Sequence, residues 1–574
     1  MAGANDSPAE SAGANKSPAE SAGANKSDKP KKIEVRPEGA VLSPKLAWLG
    51  IFISGFLYWI AFPPMDFWPA ALFVWFPFRM ALEGRTPKQA AKMGIVAGTV
   101  MVFLGFYWLV EMLQVFSGFP LPLCLFFALV VCAYQGGRFA MLGWVHARMR
   151  VRGYGGTAAF VFAFIASEMV FPLLFPWSFG VTTNKAIVFQ QIADLGGPMA
   201  VSLPLMLFSL ALAEIAMGKL RALRNGQRGF AAILGNCRTR TVIAGVGALL
   251  FQLGYGALRI WQIDAKVAAA PTVRVGMVQG NLGLKQKRRE PLTALQRHKR
   301  ATRQLVEQGA EMVVWSESTV AQIAREPHER EDIKRNISFD LGVPTIIGTL
   351  VGRHENGMDW MFNTAVSTDR DGNVTARYDK HFLLMFGEYL PLGRQFPILH
   401  QWSPHSGRFT PGESLDPLLL DIGPRPTRED PAPATTRHEV TTLICYEDIL
   451  PGFTNDAIRT AKKPELIVNM TNDAWFGDTA EPWEHLALAK GRAVEHRRYL
   501  IRSTNSGVSA IVDPLGRIVT QTGLFTEETS IATVRWLSDG TVYEVVGDKL
   551  WYLLSALALL ACFARRPEKW AFLR

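Results

Sequence analysis

Hydrophobic positions along this chain fall into two regimes. Between residues 46 and 261 they form long blocks, at about 46–62, 66–82, 92–112, 119–137, 155–175, 196–216 and 241–261, and one more lies at 548–564. Each block approaches the roughly 20 apolar residues that carry a helix across a bilayer, although the first two are short enough to form a hairpin. Buried helices of a soluble protein would explain any one of them. Seven in succession, rich in Phe and Trp, point instead to a membrane domain. From Pro271 the pattern changes to short β-branched runs alternating with amphipathic stretches. Strands are expected at 273–279, 312–315, 344–350, 363–367, 440–445, 466–470 and 508–512, and helices at about 291–309, 329–339, 449–461 and 484–498. That alternation predicts an α/β domain with a sizeable core.

The expected organisation is therefore a tail over 1–40, a membrane domain of seven spans over 41–265, an α/β domain over 266–545, and a last span with a short tail over 546–574. The tail repeats a ten-residue unit, AGANDSPAES then AGANKSPAES then AGANKSDKP, whose small and polar residues cannot build a core. It is predicted to be disordered and is not a cleavable signal peptide. The stretch 421–437, rich in Pro and charge, reads as a solvent loop inserted before a strand.

Composition agrees with a membrane protein: 49% of the 574 residues are apolar and 19% are charged. The net charge of +11 would suit a nucleic-acid partner if it were gathered on one element. It is not. Arg85, Lys88 and Lys92 follow the second block, and Arg138, Arg148, Arg150 and Arg152 follow the fourth. Lys219, Arg221, Arg224, Arg228, Arg238 and Arg240 separate the sixth from the seventh, and Arg565, Arg566 and Lys569 follow the last. The alternate connectors hold almost none, Lys185 excepted. By the positive-inside rule both termini are cytoplasmic and 262–547 lies on the far side, with no nucleic acid as partner.

Of the five cysteines (Cys124, Cys132, Cys237, Cys445, Cys562), only Cys445 falls in the α/β region, so that region cannot close a disulfide of its own. A lone Cys is most often a small buried hydrophobe. A free thiol at a strand end in an oxidising compartment is a better candidate nucleophile, and Cys445 ends the 440–445 run, just ahead of Pro451 and Gly452. Attack on a carbonyl requires a base and a donor for the oxyanion. His298, His381, His438, His485 and His496 have no evident partners. Glu317 is better placed, since it ends a strand as Cys445 does, and Lys380 among aromatic and apolar neighbours suits an electrostatic clamp. Taken singly, each also reads as an ordinary surface charge.

Taken together, WSES with Glu317, YDKHFL with Lys380, FGEYLP with Glu388 and CYED with Cys445 resemble the Glu-Lys-Cys pattern of the nitrilase (carbon–nitrogen hydrolase) superfamily. NMTNDAWFGD at 469–478 and RSTNSGVSAIVDPLGRI at 502–518 continue it in order and spacing, so the match covers 272–536. With the multi-span region before it and one span after, the chain resembles the apolipoprotein N-acyltransferase family of bacterial inner membranes. It departs from the common pattern at Ser316 and Met385, where proline is usual.

The resemblance implies an αββα sandwich inserted before the last of about eight spans, and a ping-pong acyl transfer. A phospholipid would donate the acyl chain, and the amine of an S-diacylglyceryl cysteine at an apolipoprotein N-terminus would accept it. Cys445 would be the nucleophile and Glu317 the base. Lys380, with the backbone N–H after the cysteine, would hold the oxyanion. Glu388, Tyr446 and Glu447 match positions that shape the site, Trp261 is a candidate for the lipid entry, and the apolar 382–386 run is a candidate mouth. Ester to thioester to amide requires no nucleotide, cofactor or metal. Two other readings remain at this point: a membrane-tethered amidase using the same triad, and a non-enzymatic transporter or scaffold. Against the latter, the spans carry few charges, chiefly Glu111, Glu168 and Glu214.

Overall fold

The computed structural model describes residues 39–564 apart from 284–288, 356, 386, 391, 394, 397, 399–400, 402–406, 426 and 431–432. The repeat tail expected over 1–40 thus lies almost wholly outside the described residues. Among the described residues four helices are long and apolar enough to cross a membrane: Pro44–Ala61, Leu121–Val151, Ala193–Arg224 and Thr239–Ala269. Helix Pro87–Gly105 continues into Trp108–Ser117 with a bend of 64°, so the pair adds a fifth candidate. The remaining expected blocks are shorter helices, Trp68–Leu82, Gly156–Val170 and Lys549–Ala561. Proline accounts for two of these. Pro69 and Pro77 break the 66–82 block into a 3-10 turn and a short helix, and Pro172 follows the end of Gly156–Val170.

Small residues let these helices approach closely. Helix Pro87–Gly105 lies so near Leu121–Val151 that a Cβ on Gly94 would sit 2.1 Å from the Phe139 carbonyl oxygen. Tyr58, Trp75, Phe139, Phe164 and Phe179 form an aromatic centre in which Arg138 is paired with Glu168 at 3.1 Å. The same core takes in Phe476, Ala480, Ala487 and Val494 from the α/β domain, so the two regions share one apolar interior.

The α/β domain holds two sheets. One runs β13 (Glu528–Arg535), β1 (Thr272–Gln279), β2 (Met312–Val314), β4 (Thr345–Glu355), β5 (Met358–Thr368), β6 (Val374–Asp379), with β3 (Val320–Arg325) beside β4. The other runs β12 (Ile518–Gln521), β11 (Ala510–Val512), β10 (Leu500–Thr504), β9 (Pro464–Thr471), β8 (Thr436–Ile444), β7 (Leu418–Ile422). Their central strands, β1–β2–β4 and β8–β9–β10, are parallel. Alternation along each strand sorts its residues between layers. Met312, Val314, Ile444 and Val468 pack between the sheets. Val313 faces the helix Pro291–Glu307, and Leu443 faces the helices Pro451–Thr460 and Glu481–His496. The result is a helix–sheet–sheet–helix sandwich.

The stretch 421–437 differs from its reading as a loop. Its two ends are strand, with Asp421 opposite Arg437 in the β7–β8 hairpin, because Leu418, Leu420 and Ile422 alternate inward.

Candidate functional site

Cys445 follows β8 directly with φ of +54°, in the left-handed region, and opens a single 3-10 turn, Cys445–Ile449. A non-glycine residue in that region costs energy and must be held by its surroundings. Here the holding groups are on the page. Asn469 Nδ2 donates to the Cys445 carbonyl at 3.0 Å, and Asp448, three residues on, accepts from Arg502 Nη1 at 2.6 Å and bonds His485 Nε2 at 2.8 Å. Parallel β8, β9 and β10 bring Cys445, Asn469 and Arg502 together, and helix Glu481–His496 supplies His485.

The other sheet delivers the charges. Glu317 follows β2, and Lys380 follows β6. Lys380 Nζ lies 2.7 Å from Glu388 Oε2 and 3.6 Å from Glu317 Oε1, with its side chain 1% exposed. Asn363 on β5 joins the two carboxylates, donating from Nδ2 to Glu317 Oε1 at 2.7 Å and to Glu388 Oε1 at 3.1 Å. Glu388 Oε2 also accepts the Leu384 N–H at 2.8 Å, which ties Leu384 to the carboxylate that pairs with the lysine. Burial opposes the charge on Lys380, but Glu388, Cys445 and Glu317 outweigh it and raise its pKa, so it stays protonated. Burial, then the Glu317 charge, push the Cys445 thiol well above its ordinary value, with Lys380 pulling the other way. At rest Cys445 is a neutral thiol beside a carboxylate.

Glu447 fastens the two sheets at this point. Its Oε1 accepts the N–H groups of His381 and Phe382 at 2.7 and 2.9 Å, and its Oε2 accepts Tyr378 Oη–H at 2.8 Å and the Ile444 N–H at 2.7 Å. The segment bearing Lys380 and the strand end bearing Cys445 are thereby tied to one carboxyl group, whose pKa burial raises to about 7. Tyr446 turns away and donates from its hydroxyl to the Leu174 carbonyl in the membrane region, at 2.7 Å.

A pocket of about 30 Å³ opens between Cys445 and the membrane helices, walled by Phe106, Trp108, Phe175 and Phe476. Beyond a wall of Pro176, Ile449 and Leu488, which line both spaces, lies a cavity of about 340 Å³ between the two regions. Phe382 lines that cavity and Leu384 the smaller pocket, while Phe386 lies outside the described residues.

Residues 274–537 match the carbon-nitrogen hydrolase family, and residues 54–211 match the apolipoprotein N-acyltransferase N-terminal domain. The chain belongs to the apolipoprotein N-acyltransferase family. It is 26% identical over 537 residues to the apolipoprotein N-acyltransferase of Geobacter metallireducens, covering 92% of this chain and 96% of that one. It is 27% identical over 577 residues to apolipoprotein N-acyltransferase 2 of Leptospira interrogans, covering 89% and 94%. Among solved structures it is similar to a Saccharomyces cerevisiae member of branch 10 of the nitrilase superfamily, at 17% identity and a TM-score of 0.34, over 46% of this chain and 90% of that one.

In this family member Glu317, Lys380, Glu388, Cys445 and Glu447 converge, and Tyr446 borders them. Trp261 does not join them: it stands on helix Thr239–Ala269, 70% exposed, and lines neither the pocket nor the cavity. Sequence reasoning missed Asn363; Tyr378, Asn469 and Arg502 open the YDKHFL, NMTNDAWFGD and RSTNSGVSAIVDPLGRI runs but were given no role there, and their importance comes from their partners. It also missed Gly348 on β4, where a Cβ would lie 2.3 Å from the Ser316 carbonyl oxygen and 3.0 Å from Glu317 Cα. Asp473, Glu481 and His485 place potential ligand atoms within 4.8 Å of one another, but Arg502 Nη2 already pairs with Asp473 at 3.0 Å. Burial and Arg502 disfavour a charged His485, and the Asp448 and Asp473 carboxylates overcome both, raising its pKa to about 10. Arg502 and His485 thus pair with Asp448 and Asp473 in one buried ion network.

Proposed function

We propose that this protein transfers a fatty acyl chain from a phospholipid, through a Cys445 thioester, to the N-terminal amine of S-diacylglyceryl cysteine in apolipoproteins. One observation carries the reading: the thiol that meets Glu317, Lys380 and Glu388 opens onto a space walled by Phe106, Trp108 and Phe175 of the membrane region. A hydrolase of small soluble amides needs no such wall, whereas an enzyme whose substrates are both lipids does. The names of the full-length relatives agree with it.

In the first half-reaction Glu317 takes the thiol proton as the sulfur attacks the ester carbonyl. The C–S bond forms, and the oxyanion gathers beside Lys380 and the N–H that follows Cys445. The C–O bond then breaks as Glu317 returns the proton to the leaving lysophospholipid. In the second, the acceptor amine attacks the thioester, its surplus proton passes to Glu317, and the thiol is regenerated. Glu388 and Asn363 are positioning residues that orient Lys380 and Glu317. The sequence's basic clusters support eight crossings, with the shorter helices and the bent pair counted among them, both termini cytoplasmic and the α/β domain periplasmic.

Intact-protein mass spectrometry after incubation with phosphatidylethanolamine tests this. A hydroxylamine-labile fatty-acyl adduct is expected on the parent and not on Cys445→Ala, and it should discharge onto a diacylated lipopeptide. Turnover of small amides with no adduct from any phospholipid would overturn the reading in favour of a tethered amidase.

A further inference from the structure

The pocket beside Cys445 carries groups that the scheme above does not use. Glu484, on helix Glu481–His496, is 2% exposed and lines it. Its Oε2 accepts Trp108 Nε1–H at 3.0 Å, while its Oε1 is buried with no hydrogen-bond partner among the described residues. Glu481, which also lines the pocket, has a second orphaned carboxylate oxygen, Oε2. A buried acceptor left open in this way is costly unless a ligand supplies the donor.

Size narrows the ligand. A water-sized group needs roughly 10–15 Å³ of such space. The pocket's 30 Å³ therefore takes a group the size of an ammonium beside Cys445 without rearrangement. Space for a chain lies across the Pro176, Ile449 and Leu488 wall, in the 340 Å³ cavity. Wall chemistry narrows it further. Four aromatic rings around a carboxyl group are the surroundings that recognise an ammonium ion, through the rings' negative faces and the carboxylate charge. The cations already present do not oppose it strongly, because Lys380 is paired with Glu388 and Glu317 and His485 with Asp448 and Asp473.

We propose that this pocket is an ammonium site in which Glu484 receives a protonated primary amine beside Cys445. The inference rests on the acyl-transfer reading, and two amines fit its chemistry: the α-ammonium of the acceptor and the ethanolamine headgroup of a donor. For the acceptor the balance is complete. Burial, with Glu481 beside it, holds Glu484 protonated in the empty pocket, so entry of the ammonium releases that proton to solvent. The ammonium then passes one proton back to the Glu484 carboxylate, the free amine forms the C–N bond as the C–S bond breaks, and its second proton reaches the sulfur by way of Glu317.

The test is Glu484→Gln in the full-length protein, which keeps an acceptor for Trp108. Both half-reactions are followed by intact mass spectrometry, with loading from phosphatidylglycerol, which has no amine, as the check on folding. If the acceptor occupies the site, loading is unchanged from either lipid, and discharge onto a diacylated lipopeptide slows by at least about tenfold through a raised KM. If the headgroup occupies it, loading from phosphatidylethanolamine falls while loading from phosphatidylglycerol does not. Either result supports an ammonium site. Rates within about twofold of the parent in both half-reactions would overturn it, as would loss of loading from phosphatidylglycerol, which would make Glu484 a structural tie. A parent that never loads would instead defeat the acyl-transfer reading itself.

Discussion

Replacing Gly348 by alanine should slow thioester formation without touching any charged group. The Cβ would lie 2.3 Å from the Ser316 oxygen, 2.8 Å from the Ser318 nitrogen and 3.0 Å from Glu317 Cα, all three of them backbone atoms of the segment that carries the proposed base. Real Cβ atoms essentially never come within 3.0 Å of another heavy atom, so one backbone must retreat by about 0.7 Å. Strand β4 is held on one side by β2 and on the other by eleven residues of register with β5, so the 316–318 turn gives way. A misplacement of about 1 Å at a reacting group costs on the order of a hundredfold in rate, so a shift of this size predicts a loss of roughly ten- to a hundredfold. Overpacking of this kind costs about 1–3 kcal/mol in stability, which leaves the protein folded. The assay is single-turnover acylation of Cys445 by mass spectrometry, with thermal unfolding in parallel. A folded Gly348→Ala protein that loads within about threefold of the parent would refute the claim that this close approach sets the position of Glu317.

Three further outcomes are expected. Asn363→Leu deprives Glu317 and Glu388 of one hydrogen bond each, at about 1.5–3 kcal/mol per charged acceptor, so both loading rate and melting temperature should drop; an unchanged loading rate would remove Asn363 from the site. Alkylation of Cys445, followed by peptide mapping, should keep accelerating past the ordinary thiol value of 9.0, because burial and Glu317 hold the thiol protonated; a plateau below that value would indicate a preformed thiolate. The pKa of His485 is raised from 6.5 to about 10, so the stability it contributes is fully present below 6.5 and is lost as pH rises through 10. Melting temperature should therefore decline over that window, and His485→Gln should flatten the decline; parallel curves would show that the Asp448–His485–Asp473 network does not control it.

Much of the sandwich was legible because alternation marks a strand wherever one face is buried. Strands β1, β8 and β9 were within a few residues of their expected positions. Strand β7 alternates in the same way but was not expected, because its end fell in the stretch read as a loop, and β3 and β6 were not expected either. Other missed strands are of different kinds. Strand β10 is buried but reads LIRST, with Arg502 and two hydroxyl residues that earn their place only through partners on β9 and the Cys445 turn. Strands β12 and β13 are largely half-exposed, and their pattern is weak. The site was legible as four motifs and not as a geometry. WSES, YDKHFL, FGEYLP and CYED name the charges, yet Asn363, which joins Glu317 to Glu388, lies in a plain strand and has no motif at all.

The joint between the two regions was the least legible part, because its pairs are hundreds of residues apart. Arg497, in the left-handed conformation at the end of helix Glu481–His496, donates to Asp194 at 2.8 and 3.0 Å, to Gln191 Oε1 at 2.6 Å and to the Gln191 carbonyl at 2.7 Å. Tyr446 reaches the Leu174 carbonyl, and Trp108 reaches Glu484. Two of these contacts therefore sit on the residue after the thiol and on the helix that lines its pocket. A site fastened in this way cannot move relative to the membrane region without breaking buried charged hydrogen bonds, each costing more than a neutral one. The thiol is accordingly held at a fixed place against the membrane helices, and it is the lipid substrates that must travel to it.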